Sequence, residues 1–272
     1  MISGFFRSPD VMGWHAATLA MLAVTLALRS TGAQRLFWTG LAGWGGVGLM
    51  LCGRRKMITM IPIFVAAFLL FHMLSGRTRR AWPIVLAVAV ACGLGFMAYR
   101  QVGSDRNVEV FYASTVDEFA ERVHEQGLGA LLQTIRQAGF FGQGLGMATQ
   151  GVHHIQADRP RVWQESGPSM LMVEFGIPGF IAFFLVAAAL ARRGWRALRV
   201  VAMTPAHTVF FGLAAMVIAN TAAGVVSAQI FGDPFIGCFL PFVIGLVLSG
   251  TRLRRRPAAA AAGAPQPAAL QT

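Results

Sequence analysis

Apolar residues in this chain do not alternate with polar ones; they come in long blocks separated by short charged stretches. The blocks run over Val11–Leu28, Leu36–Cys52, Met57–Leu74, Trp82–Tyr99, Ser169–Ala191, Ala206–Ala228 and Asp233–Ser249. Each approaches the roughly 20 apolar residues a helix needs to cross the hydrocarbon core of a bilayer. The pattern predicts an all-α, polytopic membrane protein with about seven transmembrane helices. The Leu36–Cys52 block is rich in glycine (Gly40, Gly43, Gly45, Gly46 and Gly48), which lets helix backbones approach closely.

Composition agrees. Of 272 residues, 56% are hydrophobic and only 12% charged, against about 25% charged in soluble domains. The start, Met1–Asp10, lacks the basic stretch and apolar core of a cleavable signal peptide. Cys52, Cys92 and Cys238 lie in or beside apolar blocks with no metal-ligand spacing, so buried single thiols are expected.

Charge predicts the orientation. One set of connecting segments holds Arg29 and Arg35; Arg77, Arg79 and Arg80; Arg192, Arg193, Arg196 and Arg199; and Arg252, Arg254, Arg255 and Arg256. None of the 11 acidic residues lies among them. The positive-inside rule places this set in the cytoplasm. The C-terminus is then cytoplasmic, and the long stretch 100–168 is an outer, periplasmic loop. Residues 1–250 form the membrane domain. Residues 251–272 form an Arg-rich, then Ala/Pro-rich tail that is expected to be disordered. The net charge of +12 thus records topology, and nucleic-acid binding is not expected. One run resists the pattern: Gly53-Arg54-Arg55-Lys56 puts three basic residues on the outer side. Phospholipid headgroup contact and an anion site are the two readings of it.

The outer loop is too long for a plain connector. Thr115-Val-Asp-Glu118 reads as a capping box, and apolar residues then recur at helical spacing to about Gln137. Gly127 and Gly129 interrupt this partly helical segment, which lies along the membrane surface or roofs the bundle. Arg122 has Glu118 and Glu125 within helical reach, whereas Arg136 has no local acid. Charge alone therefore favours Arg136 as an anion donor. Next comes Gly142-Gln-Gly144-Leu-Gly146. This G-x-G-x-G lacks the spacing and the preceding strand of a dinucleotide fingerprint. It reads instead as a side-chain-free turn that either lets a substrate approach the backbone or lets the chain fold back on the bundle. His153 and His154, ahead of Asp158, lack a recognised ligand spacing, so no metal is expected. Glu174, about one turn inside a membrane block, is a functional candidate by position.

Taken in order, these features resemble the O-antigen ligase and polymerase superfamily of bacterial envelope glycan enzymes. The resemblance rests on the arginine-bearing turn, the outer helix with arginine, G-x-G-x-G, and Glu174-Phe-Gly176-Ile-Pro-Gly179 opening a helix. The entry "GFFRSPDVMGWHAATLA" is similar to the family's G-x-F-x-x-P-N-x-x-G, with Asp10 where Asn is usual. The resemblance implies an inner-membrane glycosyltransferase without cofactor or metal. Its donor would be an undecaprenyl-diphosphate-linked glycan and its acceptor a glycan or lipid, with other glycan-assembly proteins as further partners. Arg55, with Arg54 beside it, would hold the diphosphate together with Arg122, while Arg136 stays open from charge. The family's ligases have a histidine nine residues before the helix glutamate. Here that position is Glu165, so Glu165, His153 or His154 would act as base, and a polymerase is favoured over a ligase. A membrane transporter, or a non-catalytic subunit of a glycan-assembly complex, is the alternative. The family has further helices before the point where this chain starts, so the resemblance implies that they are lacking here.

Overall fold

A computed structural model describes residues 6, 8–76, 130–148, 166–227 and 233–254. Among the described residues every regular element is helical. Helix α1 (Pro9–Ala27) begins with Ser8 as N-cap, its hydroxyl accepting from the Val11 N–H at 3.3 Å, and with Pro9 at the first position. Both features fit a helix start. Helix α2 (Gly32–Cys52) ends at Gly53, whose φ of 63° turns the chain sharply into the short helix α3 (Arg55–Ile58) and then α4 (Met60–Leu74). A separate segment forms α5 (Ala130–Ala138) and a glycine turn. It is followed by the long α6 (Gly167–Val201), α7 (His207–Val226), α8 (Pro234–Ser249) and a 3₁₀ turn (Gly250–Arg254).

Among the described residues, five helical spans are long and apolar enough to cross a membrane: Pro9–Ala27, Lys56–Leu74, Gly167–Val201, His207–Val225 and Pro234–Leu253. Helix α2 forms where expected but is not among the five. The Trp82–Tyr99 block lies outside the described residues, as do the capping box at Thr115, Gly127 and Gly129, and the tail beyond Arg254.

The core joins α1, α4, α7 and α8. Trp14, Met21, Phe64, Phe68, Phe211, Met216 and Val243 are all buried in it. Glycine sets the spacing of α1 and α2: a Cβ on Gly45 would lie 2.9 Å from the Ala16 carbonyl oxygen. The opposite face of α2 is open, with Leu36, Phe37, Trp44 and Val47 exposed. Trp14 donates its indole N–H to the side-chain oxygen of buried Asn220, tying α1 to α7. Cys52 is buried as expected, but Cys238 is exposed. Helix α8 buries the face of Ile236, Val243 and Val247, with Phe239 against Trp14, and Cys238 lies off that face. Cys92 lies outside the described residues.

Candidate functional site

Two polar constructions stand out. The first surrounds the basic run after α2. The left-handed turn at Gly53 folds Arg54 and Lys56 back onto the start of α1. There the carboxylate of Asp10 is buried, and its Oδ1 lies 3.3 Å from both Arg54 Nε and Lys56 Nζ. Asp10 occupies the first turn of α1, where the helix dipole favours a negative charge. Lys56 Nζ also donates to the hydroxyl of Ser227, at 3.2 Å, just beyond the end of α7. Thus α1, α3 and α7 meet around one carboxylate and two cations. Asp10 Oδ1 and Arg54 Nε are close enough for strong attraction yet form no well-aligned hydrogen bond. Arg55 opens α3; its side chain lies outside the description.

The second construction is the glycine turn. Gly139, Gly142, Gly144 and Gly146 all have positive φ, and the turn runs against a break in α6 at Gly176 (φ 64°, ψ −168°). Gln143 donates its N–H to the Val173 carbonyl at 2.6 Å, and Gly144 donates to the Glu174 carbonyl at 3.2 Å. In return, Ile177 donates to the Phe140 carbonyl at 2.9 Å. Helix α6 therefore starts again after Gly176, with a carbonyl of the turn capping its second N-terminus. Two glycines make the approach possible. A Cβ on Gly142 would lie 2.5 Å from the Gly176 nitrogen, and one on Gly176 would lie 2.3 Å from the Phe140 oxygen. The turn serves close backbone approach, and the backbone that approaches Gly142 is the protein's own.

Glu174 belongs to this clamp. Its Oε1 accepts from the Gly146 N–H at 3.1 Å, and the Ala148 N–H donates to the same carboxylate. Beneath it Ala138, Ala148, Met170 and Val173 form a small apolar cluster of their own.

The structure thus brings Gly142, Gly146 and Glu174 into one contact and places Arg54 in another. Arg136 is exposed on the last turn of α5 and takes part in neither. Arg122, His153, His154 and Glu165 lie outside the described residues. The sequence offers Lys56 only as part of the basic run and does not mark Asp10 or Ser227 as site residues. A signal for Asp10 was available: it is an acid at a helix start on the same predicted side as an unbalanced basic run. Ser227 left no such trace, because only the packing of α7 brings it near. No family model matches the chain, and no curated protein or solved structure matches it either.

Proposed function

We propose that this protein is a membrane glycosyltransferase that moves an undecaprenyl-diphosphate-linked glycan to a sugar or lipid acceptor, as a polymerase rather than a ligase, in O-antigen or exopolysaccharide assembly. In this reading the chain crosses the bacterial inner membrane with seven spans, the C-terminus cytoplasmic and the loop 100–168 periplasmic. The observation that carries it is the pair Arg54 and Lys56, gathered around buried Asp10 at one end of the bundle. Helix α6 supports the same geometry. Its last turns pack at the opposite end, against Gly250, and the 25 helical residues between Gly176 and Val201 span roughly 37 Å at ~1.5 Å each. In this reading that length brings the glycine clamp to the side of the membrane that holds Asp10.

The chemistry follows from charge. Breaking the bond between the anomeric carbon and the lipid diphosphate leaves negative charge on the departing phosphate oxygen. Arg55 and Arg54, with Arg122 or Arg136, neutralise it as fixed cations. Glu165, His153 or His154 takes the proton of the acceptor hydroxyl as it attacks. The test is deletion of the gene in its host, followed by gel and mass analysis of envelope glycans and carrier-linked intermediates. Single repeat units persisting where long chains belong would establish a polymerase, and long chains stranded on the carrier a ligase. Unchanged glycans, in a host without a second copy, would refute the proposal in favour of a transporter or a non-catalytic subunit. Arg55→Ala should reproduce the deletion phenotype while the protein still inserts.

A further inference from the structure

We infer that Asp10 is a positioning residue that holds Arg54 and Lys56 as a rigid pair for a diphosphate, an inference that rests on the function proposed above. Burial makes the case. The Asp10 side chain is only 4% exposed, while those of Arg54 and Lys56 are 39% and 27% exposed. The carboxylate therefore sits behind the cations, and a ligand arriving from outside meets positive charge first. Asp10 is itself fixed by the capped first turn of α1. Its contact with Arg54 engages Nε, one edge of the guanidinium. Lys56, a flexible side chain that otherwise loses much rotamer freedom on ordering, is pinned from two directions, by Asp10 and by Ser227.

A buried carboxylate beneath two half-exposed cations also explains why the basic run is tolerated between two helices. One negative charge limits the repulsion among Arg54, Arg55 and Lys56 without cancelling their net positive charge. A diphosphate, with several anionic oxygens, can then be met by cations whose ordering cost is already met in the free protein. Asp10 touches no reacting atom in this scheme. It acts through Arg54 and Lys56.

The test uses the full chain in phosphatidylcholine nanodiscs, titrated with inorganic pyrophosphate by calorimetry. Wild type should bind, and Asp10→Asn should bind about tenfold more weakly, the scale of one charge-assisted contact. Lys56→Gln should lose a similar factor, and the double variant should lose less than the two single losses combined, because part of the effect of Asp10 passes through Lys56. Ser227→Ala, which removes only the tether from α7, gives a second variant and should bind more weakly than wild type at an unchanged melting temperature. Wild-type affinity in Asp10→Asn, or losses that add in the double variant, would overturn the positioning role and leave the diphosphate reading standing. No binding by wild type would overturn both. So would binding that disappears when phosphatidylglycerol is added to the nanodiscs, which would assign the cluster to lipid headgroups.

Discussion

Replacing Gly176 by alanine attacks the clamp at its tightest point. The residue has φ 64° and ψ −168°, a region that in practice only glycine occupies, and holding alanine there costs about 1–3 kcal/mol. The added methyl would lie 2.3 Å from the Phe140 oxygen and 2.4 Å from the Phe141 carbonyl carbon. Both are main-chain atoms, so no side chain can swing away, and the chain can relieve the clash only by separating turn from helix. Separation breaks the hydrogen bonds from Gln143, Gly144 and Ile177, each contributing about 1 kcal/mol. Once the turn has separated the strain is relieved, and what the clamp gives up is the three hydrogen bonds, about 3 kcal/mol, or somewhat over a hundredfold in its closing equilibrium. The assay is amide hydrogen exchange on the protein in nanodiscs. Gln143, Gly144 and Ile177 should lose protection by that order, while the core around Trp14 and Phe68 keeps its own. Gly43→Ala is the control, since that position sits inside α2 with nothing within 4 Å of the added carbon. Wild-type protection at the three amides in Gly176→Ala would refute the argument that main-chain contact holds the clamp.

Glu174→Gln puts an NH₂ group against one of the two backbone donors; exchange at Gly146 and Ala148 should quicken about tenfold, with little change in global melting. Asn220→Ala leaves the buried Trp14 N–H without its acceptor and should destabilise the protein by about 1–3 kcal/mol. Thermal melting in detergent checks this, and the loss should be smaller when Trp14→Phe has already removed the donor. Gly45→Ala forces α1 and α2 apart at Ala16 and Ala20 and should cost about 1–3 kcal/mol in the same assay. Gly40→Ala, with nothing within 4 Å of the added carbon, should be neutral or slightly stabilising because alanine favours the helix.

The helices were legible because their apolar blocks dominate local composition, and α1 and α8 formed within two residues of the expected starts. Helix α6 runs ten residues beyond the predicted Ala191, since arginine is a good helix former and Arg192–Arg199 continue the helix outside the apolar block. The break within it had a visible marker in Gly176 and Pro178. Its partner had none, because the sequence does not say which of several glycine-spaced segments will meet. Glu174 was legible as unusual by its position in an apolar block, but its occupation by the Gly146 and Ala148 amides follows from folding. The same holds for Asp10. Its charge is plain in the sequence, yet its pairing with Arg54 and Lys56 depends on how α1 and α2 close against each other. Cys238 shows the opposite failure, where an apolar neighbourhood in sequence does not tell which face of a helix will pack.

The spans of chain that these contacts bridge also set the order in which the molecule can be assembled as it leaves the ribosome. Gly146 and Glu174 are 28 residues apart, so the clamp can close once the first turns of α6 are made. Asp10 can meet Arg54 and Lys56 earlier still, when α3 emerges. Lys56 and Ser227 are 171 residues apart, and Trp14 and Asn220 are 206 apart. Both of those contacts wait for α7. A nascent chain therefore carries its basic pair only half-tethered through most of synthesis, and the last fastening of the cluster coincides with the hydrogen bond that locks α7 onto α1.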